Sequence, residues 1–161
     1  MTKEFAEQDA FMRRALELAR QNVEDGGWPF SAVIVQDGEI ISEGVNGVDR
    51  NYDPSDHAEM VAIRNATQKL KSTDLSGATM YVVGVPCPMC ATCAILAKLD
   101  TIVYAVSVEA KDEALSSLPL TDGLYNLVSD GYGRKAITYK HLKEHESEGV
   151  SVFSNWNSDR G

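Results

Sequence analysis

Two short motifs in the middle of the chain restrict its possible folds more than any other feature. The first is His57-Ala58-Glu59 and the second is Pro86-Cys87-Pro88-Met89-Cys90. Histidine nitrogen and cysteine sulfur are zinc ligands, and a catalytic zinc usually has three protein ligands with a fourth position open for water. A fold that uses both motifs must therefore bring His57, Cys87 and Cys90 to one point.

The local sequence predicts that each motif lies at the start of a helix. Ser55 can cap a helix that runs to about residue 70, and a second helix is predicted over residues 87–98 with a proline in its first turn. Cys87 and Cys90 then lie nearly on one helix face, and the positive end of the helix favours their thiolates. We expect Cys93 to be a small buried residue, because three cysteines spaced by three along one helix do not converge on one ion.

The remaining pattern predicts an α/β fold. Apolar residues recur on one helical face over residues 5–23, and Asp37-Gly38 separates two β-rich runs as in a hairpin. Two further strands, over residues 80–85 and 102–106, flank the second helix, which implies a parallel pair. We expect helices near residues 109–115 and 141–147 and a last strand that starts at residue 150. The prediction is one domain over residues 1–161, a three-layer α/β/α sandwich around a mixed five-stranded sheet.

Composition limits where the chain can act and on what. A length of 161 residues with 43% hydrophobic content suits one globular domain. No stretch is apolar enough to cross a bilayer and the N-terminus does not have the pattern of an export signal, so we expect a cytoplasmic protein without a membrane partner. The net charge of -9 disfavours a long nucleic acid as the substrate.

Glu59 gives the predicted metal centre a second chemical group. Two thiolates and one neutral imidazole would leave a zinc centre near neutrality, so its bound water would need help from a base. Glu59 follows His57 by two residues and therefore points in a different direction from it. We expect Glu59 to take a proton from water, to deliver it to a ring nitrogen and later to protonate departing ammonia.

These motifs resemble those of the cytidine deaminase-like superfamily, and the chain is most similar to the bacterial guanine deaminases within it. The resemblance covers most of the chain and rests on four segments: residues 29–35, 43–46, 53–59 and 86–90. It implies that His57, Cys87 and Cys90 bind one Zn2+ per subunit, that Glu59 is the proton shuttle, and that the protein is a homodimer.

The resemblance also implies residues that contact a small heterocyclic base. Asn46 would hydrogen-bond the base, the backbone N–H of Ala58 would donate to its carbonyl, and Phe30 would stack on its ring. Asp122 and Trp156 are the candidates for an acid and a C-terminal aromatic residue near the pocket, the latter from the same or a partner subunit. Each has an ordinary alternative: a loop cap for Asn46, core packing for Phe30 and Trp156, and a turn residue for Asp122.

The predicted reaction is the zinc-dependent hydrolytic deamination of a free nucleobase, with guanine converted to xanthine and ammonia. Ser31, Val85 and Leu96 depart from the guanine deaminase pattern, so another aminopurine, a pterin, a triazine or a pyrimidine stays an alternative. A tRNA adenosine deaminase, a free cytosine deaminase and a non-catalytic zinc-stabilised module are further alternatives. The acidic end of the chain disfavours a tRNA substrate, and the presence of Glu59 disfavours the non-catalytic module.

Overall fold

A computed structural model of the protein describes residues 3–115 and 137–158. Its centre is a five-stranded sheet with the order β2-β1-β3-β4-β5. β1 is antiparallel to both β2 and β3, whereas β3, β4 and β5 are parallel. This confirms the predicted mixed sheet, and its strands are β1 Ser31–Gln36, β2 Glu39–Val45, β3 Thr79–Gly84, β4 Thr101–Val106 and β5 Thr138–His141.

Helices cover both faces of the sheet, which confirms the three-layer architecture. Six helices lie in the described part of the chain: α1 Lys3–Glu24, α2 Val48–Asn51, α3 Ala58–Leu70, α4 Pro88–Leu96, α5 Val108–Ala114 and α6 Glu146–Ser158. A 3-10 turn, Lys143–His145, precedes α6. Apolar residues of α1 and α6 form one core with the sheet, and residues of α3 and α4 form the core on its other face. Among the described residues, no helix is long and apolar enough to span a membrane.

The first hairpin and the first helix form as the sequence predicts. Asp37 and Gly38 connect β1 to β2 with φ values of 53° and 78°, the left-handed conformation that a tight hairpin turn requires. In α1, Met12 and Leu16 are fully buried, as the helical spacing of its apolar residues indicates.

The predicted course of the chain is wrong at its C-terminal end. The segment after Val150 is part of helix α6 and not a strand, since Val152, Phe153 and Trp156 lie on one buried helical face. The fifth strand is Thr138–His141, at the edge of the sheet beside β4. The sheet therefore has the predicted number of strands with a different last member.

The predicted start of α3 also needs correction. The helix begins at Ala58 with His57 in the N-cap position, not with Ser55 as the cap. Ser55 instead takes part in a local turn, in which its backbone N and its Oγ both donate to Asp53 Oδ1, at 2.8 and 2.7 Å. The helix ends at Leu70, close to the predicted end, and the side chain of Leu70 is exposed.

Candidate metal centre

The structure brings His57, Cys87 and Cys90 together. His57 Nδ1 lies 3.6 Å from the Sγ atom of each cysteine, and the two sulfurs are 3.6 Å apart. Tetrahedral zinc binds nitrogen and sulfur at about 2.0–2.3 Å, which places its ligand atoms about 3.3–3.8 Å from one another. The three atoms therefore have the spacing of a zinc ligand set, and this set leaves one of four tetrahedral positions open.

Two helix starts position the three ligand atoms. His57 is the residue before α3 and Cys87 is the residue before α4, and both have extended backbone conformations. Pro88 is the first residue of α4, and Cys90 lies one turn into the helix, where it is buried. The positive ends of two helices thus meet at the cluster, where they stabilise negative charge on sulfur.

Without a metal, the two cysteines share a proton. A hydrogen bond from the Cys90 thiol, together with the hydrogen bond and charge of His57, lowers the pKa of Cys87 to about 4 against the opposing effect of burial. The same interaction with Cys87, together with burial, raises the pKa of Cys90 far above its usual value. Cys87 is therefore the thiolate and Cys90 the thiol that donates to it. A divalent cation that binds both sulfurs must displace the proton of Cys90.

Glu59 lies beside this cluster in the first turn of α3. Its side chain is almost fully buried, with a relative exposure of 7%. Burial raises the pKa of the Glu59 carboxyl above its usual value, and the negative charge on Cys87 adds to the rise. A carboxyl group whose pKa is raised by burial holds a proton more readily than an exposed one, which suits a group that takes up and releases a proton as a general acid and base.

Two residues to which the sequence assigns no role hold the start of α3 in place. The buried carboxylate of Asp56 accepts hydrogen bonds from Asn51 Nδ2 at 2.7 Å and Arg64 Nη1 at 3.0 Å. Gly44 in β2 allows a close approach of the helix, because a Cβ atom there would lie 2.3 Å from the carbonyl oxygen of Ala58. Both contacts join parts of the chain that are separate in sequence, so no local motif indicates them.

Ala58 directly follows the metal ligand His57, and Asn46 lies in the loop after β2, whose next residue, Gly47, donates its backbone N–H to Asp56 O at 2.9 Å. Asn46 directly follows β2 and is 3% exposed. Its backbone N donates to Phe30 O at 3.1 Å, and its Oδ1 accepts from Val48 N at 3.2 Å. The loop-cap interpretation thus describes its amide oxygen, and a hydrogen bond from Asn46 to a base stays a prediction. Ala58 is fully buried as the first residue of α3.

The two aromatic candidates pack within the core that α1 and α6 form with the sheet. Phe30 is half-buried, and its ring centroid lies 5.3 Å from that of Phe153 in α6. Trp156 is buried, and its ring centroid is 5.9 Å from that of Trp28. A role for Trp156 in closing a pocket stays a prediction. Asp122 lies outside the described residues.

Comparison with known proteins gives consistent matches to deaminases. The sequence model of the cytidine and deoxycytidylate deaminase zinc-binding region matches residues 6–106. Guanine deaminase of Bacillus subtilis (strain 168) is 43% identical over 98 residues, which are 60% of this chain and 63% of that protein. A tRNA-specific adenosine deaminase of Aquifex aeolicus (strain VF5) is 38% identical over 95 residues, which are 59% of this chain and 63% of that protein. The matched region thus spans less than two thirds of either relative.

Two solved structures are similar over different shares of the chain. The crystal structure of guanine deaminase from Bacillus subtilis has a TM-score of 0.67 and 33% identity, and the match covers 98% of this chain and 95% of that chain. A structure from a study of A-to-I editing by tRNA:A34 deaminases has a TM-score of 0.61 and 36% identity, and the match covers 63% of this chain and 78% of that chain.

Proposed function

Because the chain belongs to the cytidine and deoxycytidylate deaminase family, we propose that it hydrolyses the amino group of a free heterocyclic base, with guanine converted to xanthine and ammonia as the leading reaction. The observation that carries this proposal is the His57, Cys87 and Cys90 cluster with the buried Glu59 carboxyl beside it. Folding alone does not require a buried carboxyl group at that place, whereas a hydrolytic reaction needs a proton carrier there.

His57, Cys87 and Cys90 would hold one zinc ion per subunit. The bound ion would act as a Lewis acid that makes a water molecule acidic enough to attack the ring. Glu59 accepts a proton from that water as the oxygen attacks the amino-bearing carbon, and it carries the proton to the adjacent ring nitrogen. Glu59 then takes the second proton from the added hydroxyl group and delivers it to the amino group, so that the carbon–nitrogen bond breaks and ammonia leaves with an oxo group in its place.

The residues around the cluster supply groups that can orient a base. The amide of Asn46 and the backbone N–H of Ala58 both come from segments that adjoin the metal ligand His57. The half-buried ring of Phe30 contacts the ring of Phe153, and the backbone carbonyl of Phe30 accepts a hydrogen bond from Asn46 N. We place hydrogen bonds from Asn46 and Ala58 on the base and an aromatic contact from Phe30 beside it. Asp122 and Trp156 stay proposed members of the pocket.

Two observations favour a free base over a tRNA. The match to the guanine deaminase structure covers 98% of this chain, whereas the match to the tRNA deaminase structure covers 63%. The net charge of -9 opposes a polyanionic substrate, and the first turn of α6 is acidic, with Glu146 and Glu148. The 38% identity to the tRNA-specific adenosine deaminase of Aquifex aeolicus makes tRNA editing the second candidate.

The assembly and location of the protein are further parts of the proposal. The resemblance to guanine deaminases supports a homodimer. The C-x-x-C cysteines support a reducing, cytoplasmic setting.

The test is an ammonia-release screen with zinc-loaded protein over guanine, adenine, cytosine, pterins, triazines and their nucleosides, with a tRNA control. Glu59→Gln should keep the zinc content of the wild type, measured by elemental analysis, and lose about 10²-fold to 10⁴-fold in turnover. The control is Glu39→Gln, which changes an exposed glutamate at the start of β2 and should leave turnover unchanged. Full activity of Glu59→Gln would refute the proton-shuttle role, and release from tRNA alone would replace the free base as substrate.

A further inference from the structure

Asn22 is a buried polar residue of α1 that the proposed mechanism does not use. Its side chain is only 2% exposed, near the C-terminal end of the helix. Burial of a side-chain amide costs free energy unless its nitrogen and its oxygen both have hydrogen-bond partners. The partners of this amide therefore show which parts of the chain it holds in place.

The amide of Asn22 has a full set of partners. Its Nδ2 donates to Trp28 O at 2.7 Å and to Asn46 O at 3.0 Å, and its Oδ1 accepts from Arg50 Nη2 at 2.9 Å. The amide nitrogen carries two hydrogen atoms, and both are used. The opposite orientation would place the amide oxygen against two carbonyl oxygens, so the surroundings fix which atom is the donor.

The two carbonyl groups belong to the segments that carry the proposed base-binding residues. Trp28 O also accepts from Phe30 N at 2.8 Å, so the turn that leads into Phe30 is fixed at the same carbonyl. Asn46 N donates to Phe30 O at 3.1 Å, and Asn46 O accepts from Asn22. One side-chain amide thus connects the backbone before Phe30 to the backbone of Asn46.

Gly27 leaves the space that this amide occupies. A Cβ atom on Gly27 would lie 2.5 Å from Asn22 Nδ2 and 2.8 Å from its Oδ1. The backbone N of Gly27 also donates to the carbonyl oxygen of Asn22 at 2.7 Å. Any larger residue at position 27 would therefore push the amide away from its partners.

The metal ligands depend on a different set of contacts. The carboxylate of Asp56 and the close approach at Gly44 hold the start of α3. The three hydrogen bonds of the Asn22 amide go instead to residues 28, 46 and 50. Loss of this amide should therefore disturb the binding of a base more than the binding of zinc.

We propose that Asn22 is a positioning residue for the base, because its amide holds the backbone of Asn46 and the turn before Phe30 so that both side chains meet the base together. This inference rests on the proposed function, in which Asn46 and Phe30 contact the base. Neither residue exchanges a proton with the substrate, so their contacts should stabilise the bound base and the transition state alike. The expected signature is a raised KM with little change in kcat.

The test is steady-state deamination of guanine by zinc-loaded wild type, Asn22→Asp and Asn65→Asp. Asn22→Asp keeps the shape of the side chain and an oxygen that faces Arg50, but it removes both donors. KM should rise about 10-fold to 100-fold, with kcat within about threefold of the wild type. Asn65→Asp is the matched control, since Asn65 Nδ2 also donates to a backbone carbonyl, Glu43 O at 3.0 Å, but at an exposed position of α3. Its KM should change by less than about twofold.

Gly27→Ala is a second test that leaves Asn22 itself unchanged. The added methyl group would displace the Asn22 amide, so KM should rise in the same direction. In the double variant the two effects should not multiply, because both substitutions remove the same hydrogen bonds. Circular dichroism shows whether each variant is folded, and Gly27→Ala tests the inference if Asn22→Asp is not.

The outcomes separate this inference from the function on which it rests. An unchanged KM, a fall in kcat alone, or effects that multiply in the double variant would overturn the role of Asn22 while deamination stands. A lower zinc affinity of Asn22→Asp in a chelator competition would also overturn it, since the amide would then support the metal ligands. Absence of ammonia release from guanine by the wild type would overturn the proposed reaction and this inference together.

Discussion

Lys111 in α5 is a charged side chain with only 1% exposure, and its replacement by methionine should stabilise the protein. Burial lowers the pKa of Lys111 from 10.5 to about 8. One pKa unit corresponds to 1.36 kcal/mol, so at pH 7 the buried charge destabilises the folded state by about 3 kcal/mol. Methionine has a similar length without the charge, and an apolar replacement of a buried ion is often stabilising. We expect the free energy of unfolding to rise by up to about 3 kcal/mol.

The stability difference should depend on pH in a defined direction. The folded pKa of Lys111 lies below that of lysine in an unfolded chain. Between about pH 8 and pH 10.5 the unfolded chain holds a proton that the folded protein has released, so the wild type gains stability as the pH rises. The advantage of Lys111→Met should therefore shrink from about 3 kcal/mol at pH 7 to about 1 kcal/mol at pH 10.

Urea unfolding at both pH values measures this difference, with zinc-loaded proteins and no free metal. At pH 7 the melting temperature of Lys111→Met should be higher by roughly 6–12 °C. The exposed control Lys143→Met should stay within about 0.5 kcal/mol of the wild type. A variant that is less stable than the wild type at pH 7, or an advantage that does not change with pH, would refute the argument that Lys111 carries a costly buried charge.

Three further predictions concern the metal and the start of α3. Dialysis against a chelator should abolish ammonia release and lower the free energy of unfolding, and stoichiometric zinc should restore both; activity that survives complete zinc removal would contradict the metal mechanism. Gly44→Ala would place a Cβ 2.3 Å from the carbonyl oxygen of Ala58. We therefore expect the free energy of unfolding, measured with urea, to fall by about 1–3 kcal/mol and the turnover to fall as well. The control is Gly38→Ala, at φ 78° with no atom near its Cβ, and its free energy of unfolding should fall by about 1 kcal/mol while its turnover is kept. Equal turnover in the two variants would contradict the role of Gly44. Asp56→Asn removes the charge that faces Arg64 and should lower zinc affinity in a chelator competition; unchanged affinity would show that the Asp56 contacts do not position His57.

The elements that could be predicted from the sequence are those fixed by near neighbours. Asp37 and Gly38 adopt the left-handed conformations that their dipeptide favours, and the hairpin forms where expected. The three sulfur and nitrogen atoms meet because each motif lies at a helix start, where the chain has one extended residue before it turns. The residue that caps α3 is His57 and not the predicted Ser55, because the hydroxyl and the backbone N of Ser55 both donate to Asp53.

The C-terminal elements could not be predicted because their patterns are ambiguous. Val150 and Val152 favour a strand by composition, and only packing against α1 and the sheet decides that Phe153 and Trp156 share a helical face with Val152. Strand β5 pairs with β4 alone and its residues are partly exposed, so it lacks the apolar run of a central parallel strand.

Lys111 shows why the buried surroundings of the metal centre are harder to predict than the metal centre itself. In the sequence it lies in a charged helical segment, which predicts a solvent-exposed side chain. Only the structure shows that Lys111 is buried against Gly84. The family match ends at residue 106, so it includes all three zinc ligands and Glu59 but neither Lys111 nor Phe153. Relatives named for guanine and for tRNA adenosine match this chain over 98 and 95 residues at 43% and 38% identity. A shared metal centre cannot by itself distinguish these substrates. We expect part of the discrimination to come from side chains beyond residue 106, such as Phe153, whose ring contacts that of Phe30.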